Sequence, residues 1–265
     1  MTSVTVPHEN QGISVSLFGS SFADAAPPCG LTDTLIAFWF GNRAAGIADD
    51  VHTNNLDLTD MNTVTSNPGH VYPLARQYTL ANNEYHVRPG DDALLSTGDV
   101  DFTIAVWAYL DSLATDEMLV TKYDYGAAQR EYFVQYNTAA ARFKFAVSSD
   151  GAGGASLISV SADNLGAPAI STWYLIVCWH DSVNDTINIQ VNNGLVDSVA
   201  WANGVHDGTS KFAIGAYDAP SFYFDGRIGP TMFWKSAASG GGVLTDAQRT
   251  CLWNEGNGLQ YGELT

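Results

Sequence analysis

From Leu35 onward the chain is written in period two. In DFTIAVWAYL (101–110), REYFVQYN (130–137), ARFKFAVSS (141–149) and TINIQVNN (186–193), apolar side chains recur at every second position. Successive side chains on a strand point to opposite faces, so this spacing buries one face of a sheet; a helix would need apolar residues three and four apart. Gly, Asn, Asp or Pro interrupts the pattern at intervals of about 8–12 residues, the rhythm of an antiparallel β-sandwich. Further strands are expected at LIAFWF, YTLANNEYHV, EMLVTKYD, LISVSA, TWYLIVCWH, GLVDSVAW, KFAIGAYD and SFYFDGRIGPTMFWKSA. WYLIVCW is apolar on both faces, which marks a central strand. Asn193-Gly194 is a two-residue hairpin signal, because both residues tolerate positive φ.

One helix stands out, in LTDAQRTCLWNEG. Thr245 and Gln248 have capping-box spacing, Leu244, Cys251 and Leu252 give an apolar side, and Gly256 is placed to stop it. The glycines at 240–242 read as a flexible connector, too bare for a phosphate loop.

Residues 1–34 behave differently. A short strand at Ile13, Val15 and Leu17 is followed by FADAAPPCG, which breaks the chain, so this segment is expected to be an N-terminal arm or attachment element preceding one domain over 35–265. Its opening residues, MTSVTVPHENQG, carry neither a basic n-region nor an apolar h-region, and no window approaches about 18 apolar residues. A soluble protein without membrane insertion or visible export signal is predicted.

The formal net charge is −17, from 28 acids against 11 Lys and Arg, and only six of the acids are glutamates. Aspartate favours turns and loop ends, where its short side chain bonds nearby backbone N–H groups. Such a surface repels phosphate backbones, which argues against nucleic-acid binding. The three cysteines, Cys29, Cys178 and Cys251, are odd in number and widely spaced, so neither a disulfide framework nor a zinc site is expected. Cys178, inside WYLIVCW, reads as a buried small apolar residue.

The order of segments resembles the laminin G-like, concanavalin A-like jelly-roll superfamily. The similarity rests on LIAFWF followed by the acidic loop IADDVHTNNLDLT, then DFTIAVWAYL with Phe102, Thr103, Ile104 and Trp107. It continues through Trp173 to Gly194, FAIGAYD, the Phe224-x-Gly226-x-Ile228 strand and the closing helix. The resemblance implies a lectin-like fold over roughly 35–262, in a superfamily that includes lectins, adhesion modules, pentraxin-like proteins and glycosidases. It also implies a structural calcium ion bound by acids of the early loop, here Asp49, Asp50 and Asn54. In such members an acid often follows the Ile of the late strand; here Gly229 and Pro230 stand there. A second loop, KYDYGAAQREYF, is similar to the calcium loop of pentraxin-like relatives, with Asp124, Gln129 and Glu131 as oxygen donors, but the match is one loop long and a solvated hairpin is the preferred reading.

Jelly-roll glycosidases of this kind carry an E-x-D-x-x-E strand that puts two carboxylates on one face. The six glutamates, Glu9, Glu84, Glu117, Glu131, Glu255 and Glu263, never fall in that spacing. Asp99-x-Asp101 is too short to replace it and reads as the turn before a strand that faces the core through Phe102, Ile104, Val106 and Ala108. His180 with Asp181 would need a distant nucleophile. A non-enzymatic protein is therefore expected.

Sugars stack on Tyr and Trp while Asn, Asp and His bond their hydroxyls. The expected ligand residues are Tyr123, Tyr125 and Tyr132 in one loop, Trp201, Asn203 and His206 in AWANGVHDG, and Tyr217, with Tyr223 beside it. Trp39, Trp107, Trp173, Trp179 and Trp234 are assigned to the core. Without an export signal or an expected disulfide pair, and with an arm, the chain reads as an exposed virion protein of a tailed phage, a capsid decoration or tail or fibre accessory. Its partners would be other virion proteins or copies of itself through the arm, and cell-surface glycans. A free carbohydrate-binding module or extracellular adhesin is the alternative, and a glycoside hydrolase a third.

Overall fold

The computed structural model describes residues 29–217 and 221–265; the expected arm lies outside the described residues except for 29–34. Two antiparallel sheets face each other. Numbered along the chain, the first runs β13 (Asp197–Ala200), β12 (Thr186–Val191), β11 (Trp173–Asp181), β6 (Asp101–Leu110), β15 (Gly226–Ser236), β4 (Leu74–Tyr78) and β3 (Thr65–Pro68), with β1 (Leu35–Trp39) also paired to β15. The second runs β10 (Leu157–Ser161), β9 (Arg142–Gly151), β8 (Gln129–Asn137), β7 (Glu117–Asp124), β14 (Phe212–Ile214), β5 (Tyr85–Val87) and β2 (Thr59–Met61). The predicted jelly-roll β-sandwich is the fold. No helix among the described residues is long and apolar enough to cross a membrane.

Period two sorts the apolar residues into three layers. Phe102, Ile104, Val106 and Ala108 of β6 meet Tyr132, Val134 and Tyr136 of β8 between the sheets, the core face that the alternation predicts. The alternate residues of β6, Ala105 and Trp107, face outward and would be exposed if nothing covered them. They are covered by α1 (Asp246–Trp253), the C-terminal residues Leu259 and Leu264, and Leu31. Burying a large apolar side chain contributes about 1.5–3 kcal/mol, so both faces of the first sheet are strongly held. The third layer, Met118, Tyr123, Phe133, Ala146 and Tyr217 with Leu157 packed against it, lies on the outer face of the second sheet.

Several expectations need correction. Cys29 and Cys251 form a disulfide, with Cα atoms 6.2 Å apart, joining residue 29 to α1 across 222 residues. Spacing along the chain carries no information about this pairing, because the contact is made by folding; Cys178 is the free, buried thiol. Leu31 also donates its N–H to Leu264 O and accepts from Trp234 Nε1, so residues 29–34 are packed into the domain. The YTLANNEYHV segment is a corner between sheets rather than one strand. Glu84 accepts from Thr79 N and Asn82 Nδ2, and Asn83 takes the left-handed conformation. The polar loop after β1 supplies the short strands β2 and β3, which their polar sequences, TDM and TSNP, did not announce. Of the 240–242 glycines, Gly240 stands in open space, but Gly241 is packed against Ser236 and Gly242 lies against the Asp101 backbone with no room for a Cβ. Its carbonyl accepts from Thr103 Oγ1. Trp173 is half-buried, while Trp39, Trp107, Trp179 and Trp234 are buried as expected.

Candidate functional site

The third layer forms the floor of an open cleft of about 670 Å³, whose lining includes Tyr123, Tyr125, Phe133, Gln135, Leu157, Tyr217 and Phe222. That volume is in the ~300–1,000 Å³ range of small-molecule sites. The cleft is built by simple register. Phe133 and Gln135 alternate with the inward Tyr132 and Val134 of β8, and Tyr123 lies near the end of β7 after a register shift between Lys122 and Tyr123. Tyr217 and Phe222 arrive from the segment following β14.

Its walls are aromatic. Tyr123 stacks on Tyr217 with centroids 4.8 Å apart and planes 20° off parallel, and Phe133 meets Tyr123 edge-on at 5.0 Å. Phe222 packs edge-on against Tyr217 at 5.3 Å and remains 48% exposed. It holds φ at 55°, a left-handed conformation that bulky residues rarely adopt, and its carbonyl accepts from Met118 N at 2.9 Å. Tyr125 is 69% exposed on the opposite rim, with the Arg130 guanidinium 4.4 Å from its ring centroid. Arg130 Nη2 also donates to Tyr125 O, which fixes the rim.

Polar groups sit at the margins of this floor. Asp116 lies in the lining, its Oδ1 accepting from Thr138 N and Oγ1 and its Oδ2 from Asn137 Nδ2. Ser221 and the Gln135 amide complete the polar rim. Burial pushes the Tyr217 hydroxyl well above the usual tyrosine range, with the neighbouring Tyr123 adding to the effect. Tyr123 is raised by burial too, against the pull of Arg130. Both phenols therefore keep their protons and present O–H groups beside aromatic faces, the combination that suits a hydroxylated ring.

The expected ligand residues divide. Tyr123, Tyr125 and Tyr217 come together in the cleft. Tyr132 does not: it is fully buried between the sheets, donating its hydroxyl to Leu95 O. Its place on β8, one residue from outward Phe133, turns it inward. Trp201 is buried in the central core, with Nε1 donating to Gly204 O. Asn203 is exposed and His206 half-buried, with Nε2 3.4 Å from Gln129 Oε1; neither lines the cleft. Phe133, Gln135, Leu157 and Phe222 were missed. For the first two, the β8 alternation was the available signal.

The early acidic loop does not fit calcium. Asp50 Oδ1 accepts from Phe38 N and His52 N, and its Oδ2 from Leu56 N, all at 2.9 Å. Asp49 is paired with Arg43, and Asn54 donates its amide N–H to Ile36 O. The Asp50 oxygens serve backbone N–H groups of β1 and the loop, and Asp49 serves an arginine, whereas calcium needs about 6–8 oxygens converging. No cluster of three or more potential metal-ligating side chains occurs among the described residues. In the second loop Asp124 Oδ1 accepts from Gly126 N and Ala127 N, and Gln129 Oε1 from Thr209 N. Glu131 is buried against Lys122 Nζ at 2.6 Å. Burial raises its carboxyl to about 7, opposed by that ammonium. Asp99 is exposed, while buried Asp101 caps two neighbouring segments, accepting from Ser182 N and Oγ and from Gly240 N.

A family model described as the concanavalin A-like lectin/glucanases superfamily matches residues 82–243. No curated protein sequence matches the chain. Among solved structures, domain 4 of AbnA, a GH43 extracellular arabinanase from Geobacillus stearothermophilus in complex with arabinotriose, is similar with a TM-score of 0.58. It has 14% identity, over 82% of this chain and 97% of that one. A botulinum neurotoxin type C structure, whose cell entry depends on interaction with two ganglioside molecules, gives 0.60 at 13% identity, over 86% of this chain and 52% of that one. Trypanosoma rangeli sialidase gives 0.57 at 13% identity, over 86% of this chain and 34% of that one. The chain thus spans about half of that toxin chain and a third of the sialidase. At these identities the likeness is one of fold.

Proposed function

We propose that this chain, which belongs to the concanavalin A-like lectin/glucanases superfamily, binds a glycan in the aromatic cleft on the outer face of its second sheet. The observation that carries this is the open cleft above that layer, rimmed by the exposed Tyr125 and Phe222, where the corresponding layer of the first sheet is covered by α1. Exposed aromatic rings beside polar groups are what a sugar ring requires: a flat apolar face to lie on and hydrogen-bonding groups at the edge. The arabinotriose complex of the arabinanase domain and the ganglioside dependence of the neurotoxin make arabino-oligosaccharides and ganglioside glycans the first probes.

A binding role is favoured over hydrolysis. Glycosidases generally place two carboxyl groups about 5–9.5 Å apart across the scissile bond. The described lining of this cleft has one, Asp116, already holding three donors. For the setting, the Cys29–Cys251 bond supports an oxidising destination outside the cytoplasm, a virion surface or the extracellular medium.

The test is binding of an immobilised glycan panel by the intact protein and by Tyr125→Ala and Phe222→Ala, whose side chains are exposed. Saturable binding that both variants weaken supports the reading. A panel with no bound glycan, or binding indifferent to both substitutions, overturns it.

A further inference from the structure

The outer face of the second sheet continues past the cleft into a polar shelf. Lys144 of β9 pairs directly with Gln135 of β8, and Ser161 of β10 pairs with Lys144. Phe143 and Phe145 on either side of Lys144 face the core, so alternation turns Lys144 onto the same outer face as Gln135. Directly paired side chains on one face stand about 4.5–5.5 Å apart at Cβ, which places the Lys144 ammonium within reach of anything lying over Gln135.

Lys144 is unusual in this protein. The chain has 11 Lys and Arg against 28 acids, all 11 within the described residues. Among the described residues, ten of these cations are engaged: Arg43, Arg88 and Arg142 in ion pairs, Lys122 in the buried pair, and the others in hydrogen bonds or other polar contacts. Lys144 has no such partner there, although the surplus of carboxylates would make one easy to supply. Half-buried Lys144 is therefore an unpaired positive charge beside the aromatic cleft, on a chain whose net charge is −17. Asp116 lies across β8 from it, lining the cleft on the β7 side with its oxygens satisfied.

Resting on the glycan reading above, we propose that the glycan is acidic. Its sugar ring lies in the cleft against the exposed Tyr125 and Phe222, and its carboxylate or sulfate lies over Gln135 toward Lys144 and Ser161. The opposed charges of Asp116 and Lys144 set the direction, because an anionic group turned the other way would meet the carboxylate.

The experiment uses an array in which neutral oligosaccharides stand beside their sialylated, uronic-acid and sulfated counterparts, probed with the intact protein and with Lys144→Met and Tyr125→Ala. Acidic members should bind more tightly than their neutral partners, by about fivefold for a partly exposed charge contact, and the preference should shrink with added salt. Lys144→Met should abolish that preference while leaving neutral binding unchanged, whereas Tyr125→Ala should weaken both. The sialylated and uronic arms against the sulfated arm tell carboxylate from sulfate. Equal binding of neutral and acidic partners, or a preference that survives Lys144→Met, overturns the proposal and leaves the glycan reading standing if Tyr125→Ala still matters. No binding to any member overturns both.

Discussion

Tyr123 and Tyr217 stack face to face at 4.8 Å although one lies near the end of β7 and the other follows β14, so the cleft exists only when those two segments are in register. Tyr217 is nearly buried by the contact, whereas Tyr125 and Phe222 stand free on the rims. The same aromatic layer therefore contains residues that hold the fold and residues that are available to a ligand.

That division predicts opposite phenotypes. Tyr217→Ala should lower stability by about 3 kcal/mol, in the range for emptying a buried aromatic site. Tyr125→Ala should stay within about 0.5 kcal/mol of the parent in denaturant unfolding. Loss of glycan affinity without loss of stability in Tyr125→Ala, measured by titration calorimetry, checks the assignment.

Glu117 supplies a pH dependence. Its side chain is fully buried on β7, Oε2 accepts from Asp225 N, and Oε1 has no partner. Burial raises its pKa from 4.5 to about 8, opposed by the Asp225 N–H and reinforced by the charges of Asp225 and Asp111. Below pH 4.5 the carboxyl is protonated folded or unfolded, so its contribution is fully present. As pH rises toward 8 the unfolded chain ionises and the folded one resists, so stability is lost across that window. Glu131, raised to about 7, slopes the same way. Urea unfolding between pH 5 and 9 should show the decline, and Glu117→Gln should flatten it, gaining at least about 1 kcal/mol on the parent at the alkaline end.

Reducing Cys29–Cys251 should cost about 2–5 kcal/mol. The effect is read as a drop in Tm on adding reductant, absent in Cys251→Ser. An unchanged Tm in the parent would show that Leu31 and α1 hold without the bond.

Asp50 is expected to act through the backbone rather than through a metal. Asp50→Ala strands three N–H groups and should destabilise by about 2–4 kcal/mol. Chelator or added calcium should leave the Tm of the parent unchanged; a calcium-dependent rise would refute this account.

Much of the fold was legible because a strand declares its buried face locally. The β6 alternation placed Phe102, Ile104, Val106 and Ala108 without error, and Thr245 with Gln248 announced α1, whose capping box is formed. What was illegible depended on distance. Nothing near Cys29 names Cys251, and nothing in TDM says that it will pair with Tyr85–Val87. The site fell between these cases. Its tyrosines were visible as residue types, but Tyr132 and Phe133 could be told apart only by fixing the parity of β8, and Phe222 only by knowing where its segment returns. Lys144 carried no signal at all, since its interest lies in the partners that its neighbours do not provide.

The bond between Cys29 and Cys251 also has a mechanical meaning. A pull applied through the segment before Cys29 and the residues after Cys251 runs through one covalent link, and the 222-residue separation between them carries none of the load. The sheets, and the cleft on the outer face of the second, would stay in register under tension that would peel apart an unbridged sandwich.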